Sequence, residues 1–153
     1  MIGEEAVDRY LNGTISDLYD GMLMKDMDKA IDILKEKILE DKKIRVIGDY
    51  DIDGVNATYI LLEGLERLGA DVDSDIPDRI SDGYGLNRHL VERAYEAGVD
   101  TLITCDNGIA AADEIAYGKE MGMTVIVTDH HEVPFDEHDG AKTIQNSAGR
   151  CGY

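Results

Sequence analysis

Short apolar runs rich in β-branched residues alternate along this chain with longer stretches whose apolar positions recur every three or four residues. The first pattern is that of a buried strand and the second that of an amphipathic helix, so the alternation predicts an α/β fold on a parallel sheet. A preliminary helix is expected near Glu4 to Leu11. Over Asp26 to Glu40, Met27, Ala30, Ile31, Leu34 and Ile38 share one face with Lys and Glu elsewhere, which predicts an amphipathic lead-in helix. Ile44 to Ile47 follows as a strand, and Val55, Tyr59, Leu62 and Leu65 mark a helix closed by Gly69. A weaker extended stretch, Ala70 to Ile76, leads through "PDRISDGYGL" to a helix capped by Asn87, with Leu90, Val91, Ala94 and Tyr95 inward and Gly98 as its stop. "DTLITC" then reads as a strand, Ile109 to Met121 as a helix stopped by Gly122, and "MTVIVT" as the next strand. No internal repeat, low-complexity tract or linker interrupts the series. One domain is expected, with a helical lead-in over 1–43, a strand-helix core over 44–137 and a connector over 138–153.

Composition agrees with one domain, since 153 residues with 43% apolar content supply a core. No run approaches the roughly 18 to 20 apolar residues of a membrane span, and "MIGEEAVDRY" lacks the basic-then-apolar pattern of a signal peptide. A cytoplasmic protein without a membrane partner is the expectation. Cys105 and Cys151 lie in dissimilar settings and read as free thiols. The net charge of −18 carries more information. So acidic a chain repels a phosphate backbone unless cations or a separate basic region intervene.

The chemistry-bearing residues sit at strand ends. Asp49, Asp51 and Asp53 follow the first strand, Asp106 and Asn107 follow "LITC", and Asp129, His130 and His131 follow "VIVT". In a parallel sheet these ends form one edge, the edge where ligands bind. Calcium fails as a reading of "DYDIDG", because the twelfth loop position is Ile60 instead of a bidentate Glu and a strand, not a helix, precedes the motif. A haloacid-dehalogenase-like phosphatase is the rival enzyme, with Asp51 as nucleophile, Asp53 as general acid and Thr104 as a second-strand hydroxyl. That chemistry needs a lysine and a later acidic pair, and has no use for "DHH". Any one of these aspartates, taken alone, reads as a helix cap, and a lone His pair as a solvated loop. Their coincidence at three successive strand ends argues for a site. Carboxylates mixed with imidazole suit manganese, cobalt, iron or zinc, and a bridging carboxylate lets two divalent ions share one centre. Such a centre acidifies water and holds a phosphate oxygen, so the implied reaction is phosphoester hydrolysis.

"DYDIDG", "CDNG" and "DHHE", in this order and spacing, resemble the motifs of the DHH phosphoesterase family, and within it the RecJ group of single-strand-specific exonucleases. "LYDGMLMKDMDKAI" is similar to that group's lead-in, "IPDRISDGYGLN" to its phosphate-side loop and "NSAGRCGY" to its connector; the likeness covers about residues 5 to 137. The resemblance implies a Rossmann-like domain, two Mn2+ or Mg2+ ions, no small organic cofactor, and removal of 5′ nucleotides from single-stranded DNA in repair and recombination. By position, Asp51, Asp53 and His130 would be metal ligands and Asp106 the bridging carboxylate. Asp49 joins this set although many members carry His there. Asp129 would orient a histidine, and His131 would contact metal or the scissile phosphate, the two forming the catalytic pair. Arg79 would face a phosphate, or else pair with Asp78 or Asp82; Asn107 and Gly108 of "CDNG" would contact substrate. "GYG" at Gly83 to Gly85 reads equally as a plain turn or a substrate contact, and His89 and His138 as surface residues. Members carry a further Asp beyond the histidines and a second, substrate-binding domain. The stop at Tyr153 therefore implies an incomplete DHH domain, inactive alone and with an open sheet edge, whose missing half holds the DNA. A small-substrate DHH phosphodiesterase, acting on short oligonucleotides or cyclic dinucleotides, and an inert or partner-binding fragment are the alternatives.

Overall fold

The computed structural model describes residues 3–79, 83, 85–132 and 150–152. Within them lie helices α1 (Glu4–Asn12), α2 (Met27–Leu39), α3 (Ile52–Arg67), α4 (Arg88–Glu96) and α5 (Ala112–Glu120), and strands β1 (Ile44–Ile47), β2 (Val72–Asp75), β3 (Thr101–Cys105), β4 (Thr124–Asp129) and β5 (Arg150–Gly152). The β-branched runs become strands where the sheet is deepest, and β3 is buried along its whole length. One sheet results, in the order β2-β1-β3-β4-β5. The first four strands pair in parallel, and β5 runs antiparallel along the carboxyl half of β4. The chain steps from β1 outward to β2, then back across to β3. That reversal leaves a crevice beyond the carboxyl ends of β1 and β3, the switch point at which open α/β sheets take ligands.

Side chains alternate across the strands and feed a core on each face. Ile47, Leu102, Val125 and Val127 pack with Leu90, Val91 and Ala94 of α4. Ile44, Val46, Ile103 and Ile126 pack with Ala30 and Leu65, joined by Met27, Leu34 and Ile38 of α2. The lead-in helix therefore packs Met27, Ala30, Leu34 and Ile38 as its period predicts, with Ile33 in the core cluster where Ile31 is expected.

Helix α3 is turned from the predicted phase. Its buried residues are Gly54, Thr58 and Leu65, whereas Val55 is 43% and Tyr59 62% exposed. The reason is proximity: a Cβ on Gly54 would stand 2.6 Å from Asp49 Cβ and 2.7 Å from its Cα, so only small residues fit against β1. Tyr95 of α4, expected inward, is likewise exposed. α5 begins three residues later than predicted, because the Ile109 N–H is taken by the Asp129 carboxylate at 2.9 Å. Asn87 caps α4 as expected, its side chain accepting from the Leu90 N–H at 3.0 Å. α1 buries no residue. The tail, expected as a connector, contributes β5 to the sheet edge. No helix among the described residues is long and apolar enough to cross a membrane.

Candidate metal centre

Each strand end contributes differently. After β1, Asp49 is 1% exposed and accepts the Tyr50 N–H at 2.8 Å. Burial pushes its carboxyl above the ordinary range, against the Tyr50 hydrogen bond, and the charges of Asp51 and Asp106 push the same way. Asp51 is the N-cap of α3: its Oδ1 accepts from the N–H groups of Asp53 and Gly54, both at 2.9 Å. Asp53 stands exposed in the first turn. The capping role thus holds for Asp51 through one oxygen.

After β3, Asp106 takes a left-handed φ of 61° and is 9% exposed. Its Oδ1 is buried without a hydrogen-bond partner, although His130 Nε2 lies only 2.7 Å away and His131 Nδ1 4.0 Å. The near contact has the distance of a hydrogen bond but not its alignment. After β4, Asp129 is buried and holds His131 twice, through the backbone N–H at 3.0 Å and the ring Nδ1 at 2.7 Å. With Asp129 ionised, Nδ1 carries a proton toward it, so the neutral ring keeps its lone pair on Nε2. Burial pushes Asp129 up, but the N–H groups of His131 and Ile109 and the His131 ring outweigh it and hold the carboxyl below its ordinary value. The same bond raises His131, helped by the charges of Asp129, Asp106 and Asp49.

Asp106, His130 and His131 each bring one ligand atom to within 4.8 Å of the others. One buried, unpartnered carboxylate oxygen facing two imidazoles is a donor set that a borderline divalent cation fits. Beside it opens a cleft of about 280 Å³ between Leu86, Ile109, Ala111, Glu114, Asp129 and His131.

The residues expected to touch substrate serve the fold first. Asn107 is buried, and its Nδ2 donates to Ile47 O at 3.1 Å and Cys105 O at 2.9 Å, clamping β1 to β3 at the switch point. Gly108 has φ 103°, and a Cβ there would approach Thr104 Oγ1 to 2.8 Å. Thr104 donates that hydroxyl to Asn107 O at 2.7 Å, so it is committed within the loop and not available to a phosphatase site. Arg79 is exposed with its guanidinium 5.4 Å from the Tyr50 ring centroid, which holds it beside the Asp49–Asp51 turn. Gly83 is exposed, and Gly85 is buried with φ 68° and Asn107 Cβ 3.5 Å from an ideal Cβ. Asp82, Tyr84 and His138 lie outside the described residues. His89 is exposed on α4, as expected. The sequence reading missed Tyr50 and Thr58; the one signal for Thr58 was a hydroxyl on the sheet-facing side of a helix.

The family model described as "DHH family, N-terminal domain" matches residues 43–152. The chain belongs to the DHH family. Among curated relatives, this DHH chain is 44% identical over 149 residues to the single-stranded-DNA-specific exonuclease RecJ of Bacillus subtilis, covering 97% of the chain and 19% of that protein. It is 44% identical over 108 residues to the Thermus thermophilus RecJ, covering 71% and 16%. A solved structure of exonuclease RecJ bound to manganese superposes with a TM-score of 0.71 at 39% identity, over 78% of this chain and 31% of that one. A T. thermophilus RecJ in complex with Mn2+ gives 0.61 at 38% identity, over 74% and 16%. The DHH chain therefore spans about a fifth of the length of the B. subtilis relative. The family match removes the haloacid-dehalogenase-like and calcium readings, and the α/β fold matches that of the RecJ structures.

Proposed function

We propose that this DHH chain carries metal ligands of a manganese-dependent, RecJ-like phosphodiesterase that acts on single-stranded DNA. The carrying observation is the buried, unpartnered Oδ1 of Asp106 facing His130 and His131. Asp106, His130 and His131 would hold one cation, with Asp49, Asp51 and Asp53 supplying further carboxylates from the neighbouring strand end. A bound divalent ion supplies Lewis acidity toward a phosphate oxygen and acidifies water. The chain's own residues prepare that chemistry. Asp129 keeps the His131 proton on Nδ1 and aims the ring. Asp49 is buried among like charges, so a nearby cation would favour its ionised form. Arg79, held over Tyr50, is positioned to meet a phosphate. Support for single-stranded DNA over short oligonucleotides comes from the relatives, which are single-strand-specific exonucleases. Support for manganese comes from the two RecJ structures solved with it.

Calorimetry of Mn2+ binding tests the centre. Asp106→Asn should weaken binding about a hundredfold or more, above the tenfold cost typical of losing an outer partner. Glu96→Gln, on the exposed end of α4, should leave it unchanged. Equal losses from the two substitutions would mean diffuse attraction to an acidic surface and would remove the site.

A further inference from the structure

We propose that Thr58 is a positioning residue for the metal centre, its hydroxyl tying the first turn of α3 to the end of β3 so that the site aspartates keep their spacing. The inference rests on the metal-centre reading above.

Thr58 is 4% exposed on the face of α3 that meets the sheet. Its Oγ1 donates to Gly54 O at 2.7 Å, a local bond that many helical threonines make. Local bonding alone would leave the residue without consequence for the site. The same oxygen, however, lies 3.4 Å from Cys105 Sγ, 47 positions along the chain. A hydroxyl has one proton, and here the Gly54 carbonyl takes it, so the single Cys105 thiol proton is shared between Thr58 Oγ1 and the Ile47 carbonyl. Cys105 Sγ also lies 3.9 Å from Ile47 O at the end of β1. Three segments therefore meet around one hydroxyl, and each leads directly into a site carboxylate. Gly54, whose carbonyl it binds, follows Asp53 and gives its N–H to Asp51 at 2.9 Å. Cys105 precedes Asp106, and Ile47 stands two residues before Asp49.

The junction has no slack. A Cβ on Gly48 would come within 1.8 Å of Thr58 Oγ1, and one on Gly54 would come within 2.7 Å of the Asp49 backbone. Helix and strand are thus seated as closely as backbone allows, with the hydroxyl as the polar wedge between them. Metal ligands must hold their distances to about 0.2 Å. A methyl group in place of this hydroxyl has the same volume but accepts and donates nothing. It leaves the thiol without its nearer acceptor and frees the α3 turn to shift against β3 by amounts that matter on that scale.

The test uses the 153-residue chain, with Mn2+ binding read by calorimetry and by the EPR signal of free Mn2+, and folding by circular dichroism and Tm. Thr58→Val keeps the branched shape and should weaken Mn2+ binding about tenfold, while Thr58→Ser restores the hydroxyl and should stay within about twofold of the parent. Leu65→Val, buried in the same helix away from the site, provides the control for stability alone: it should lower Tm and leave Mn2+ affinity intact. If Thr58→Val does not fold, Thr58→Ala against Thr58→Ser decides in the same way. Parental affinity in the folded hydroxyl-free variant overturns the proposal. So does an equal loss in Leu65→Val, which would make the effect one of general stability. Absence of Mn2+ binding in the parent chain overturns it together with the metal centre, whereas a response to Asp106→Asn without one to Thr58→Val overturns this inference alone.

Discussion

A carboxylate at a strand end can cap a helix or hold a cation, and the geometry divides these roles among residues of one type. Asp51 caps with one oxygen, Asp129 spends one on His131 in its own loop and the other on the Ile109 N–H of the loop after β3, and Asp106 keeps an oxygen without a hydrogen-bond partner. The sequence shows the type and the place of each but not this division, which depends on which N–H groups the turns aim at them. Asn107 is the clearest illegible residue: nothing in "CDNG" tells an amide that faces substrate from one that clamps two strands, and the structure shows the clamp. The Asp129–His131 pair was legible as a carboxylate orienting a histidine, and it makes a measurable difference to protonation. The hydrogen bond to Asp129 is the largest influence holding the His131 proton to higher pH than an ordinary imidazole. Asp129→Asn keeps the shape and one acceptor but removes the charge. In the metal-free chain, an NMR titration of the His131 ring should therefore show its pKa falling toward the ordinary value. An unchanged pKa would assign the shift to Asp106 and Asp49 instead, and would take the orienting role from Asp129.

At the scale of elements, strands were easier to place than helix faces. β1, β3 and β4 are buried β-branched runs and stand where the pattern puts them; the short, polar β2 was visible only as a weaker stretch because Asp73 and Ser74 break its apolar signal. α3 misleads because several of its large apolar residues are exposed, Leu65 being the one that is buried. Ile52, Val55, Tyr59 and Ile60 form an exposed stripe, while the sheet-facing side carries Gly54, Ala57 and Thr58. Apolar periodicity marks the face with the largest side chains, and a helix that must approach a strand closely buries its smallest. Gly54→Ala separates these two principles. By helix propensity the change should stabilise α3 by about 1 kcal/mol. By contact it places a Cβ 2.6–2.7 Å from the backbone and Cβ of Asp49, where neither side can give, and overpacking of this kind costs about 1–3 kcal/mol. Contact should win, so chemical denaturation should show net destabilisation. A gain in stability would mean that α3 can move away from β1 at no cost, and would weaken the case for a tightly seated site.

For the whole molecule, the parallel alternation was enough to place all three motifs on one edge, since successive parallel strands end on the same side. It was not enough to give the order β2-β1-β3-β4-β5 or the antiparallel return of β5, because "RCG" carries no strand signal and lateral order is decided by the packing of α2 to α5 on the two faces. The charge was legible, and it bears on what this chain can do by itself. It has 33 acidic against 15 basic residues and 6% aromatics. Several of the cations are already spent: Lys37 pairs with Asp100, Lys43 and Arg45 with Asp73, and Arg93 with Asp75. Binders of single-stranded nucleic acid combine a positive groove with aromatic platforms, and their phosphate contacts release counterions. With acidic residues outnumbering basic ones by 33 to 15, the chain should hold cations at its strand ends yet fail to hold DNA. Fluorescence anisotropy of a 5′-labelled single strand, with Mn2+ and low salt to favour association, should show no saturable binding by the 153-residue chain, and gel analysis of the same mixture should show no digestion. A chain extended to the length of its RecJ relatives should bind and digest the strand, with binding that weakens as salt is raised. Digestion by the short chain, abolished by His130→Ala so that a contaminating nuclease is excluded, would show that the acidic edge and its cations suffice to capture a phosphate backbone.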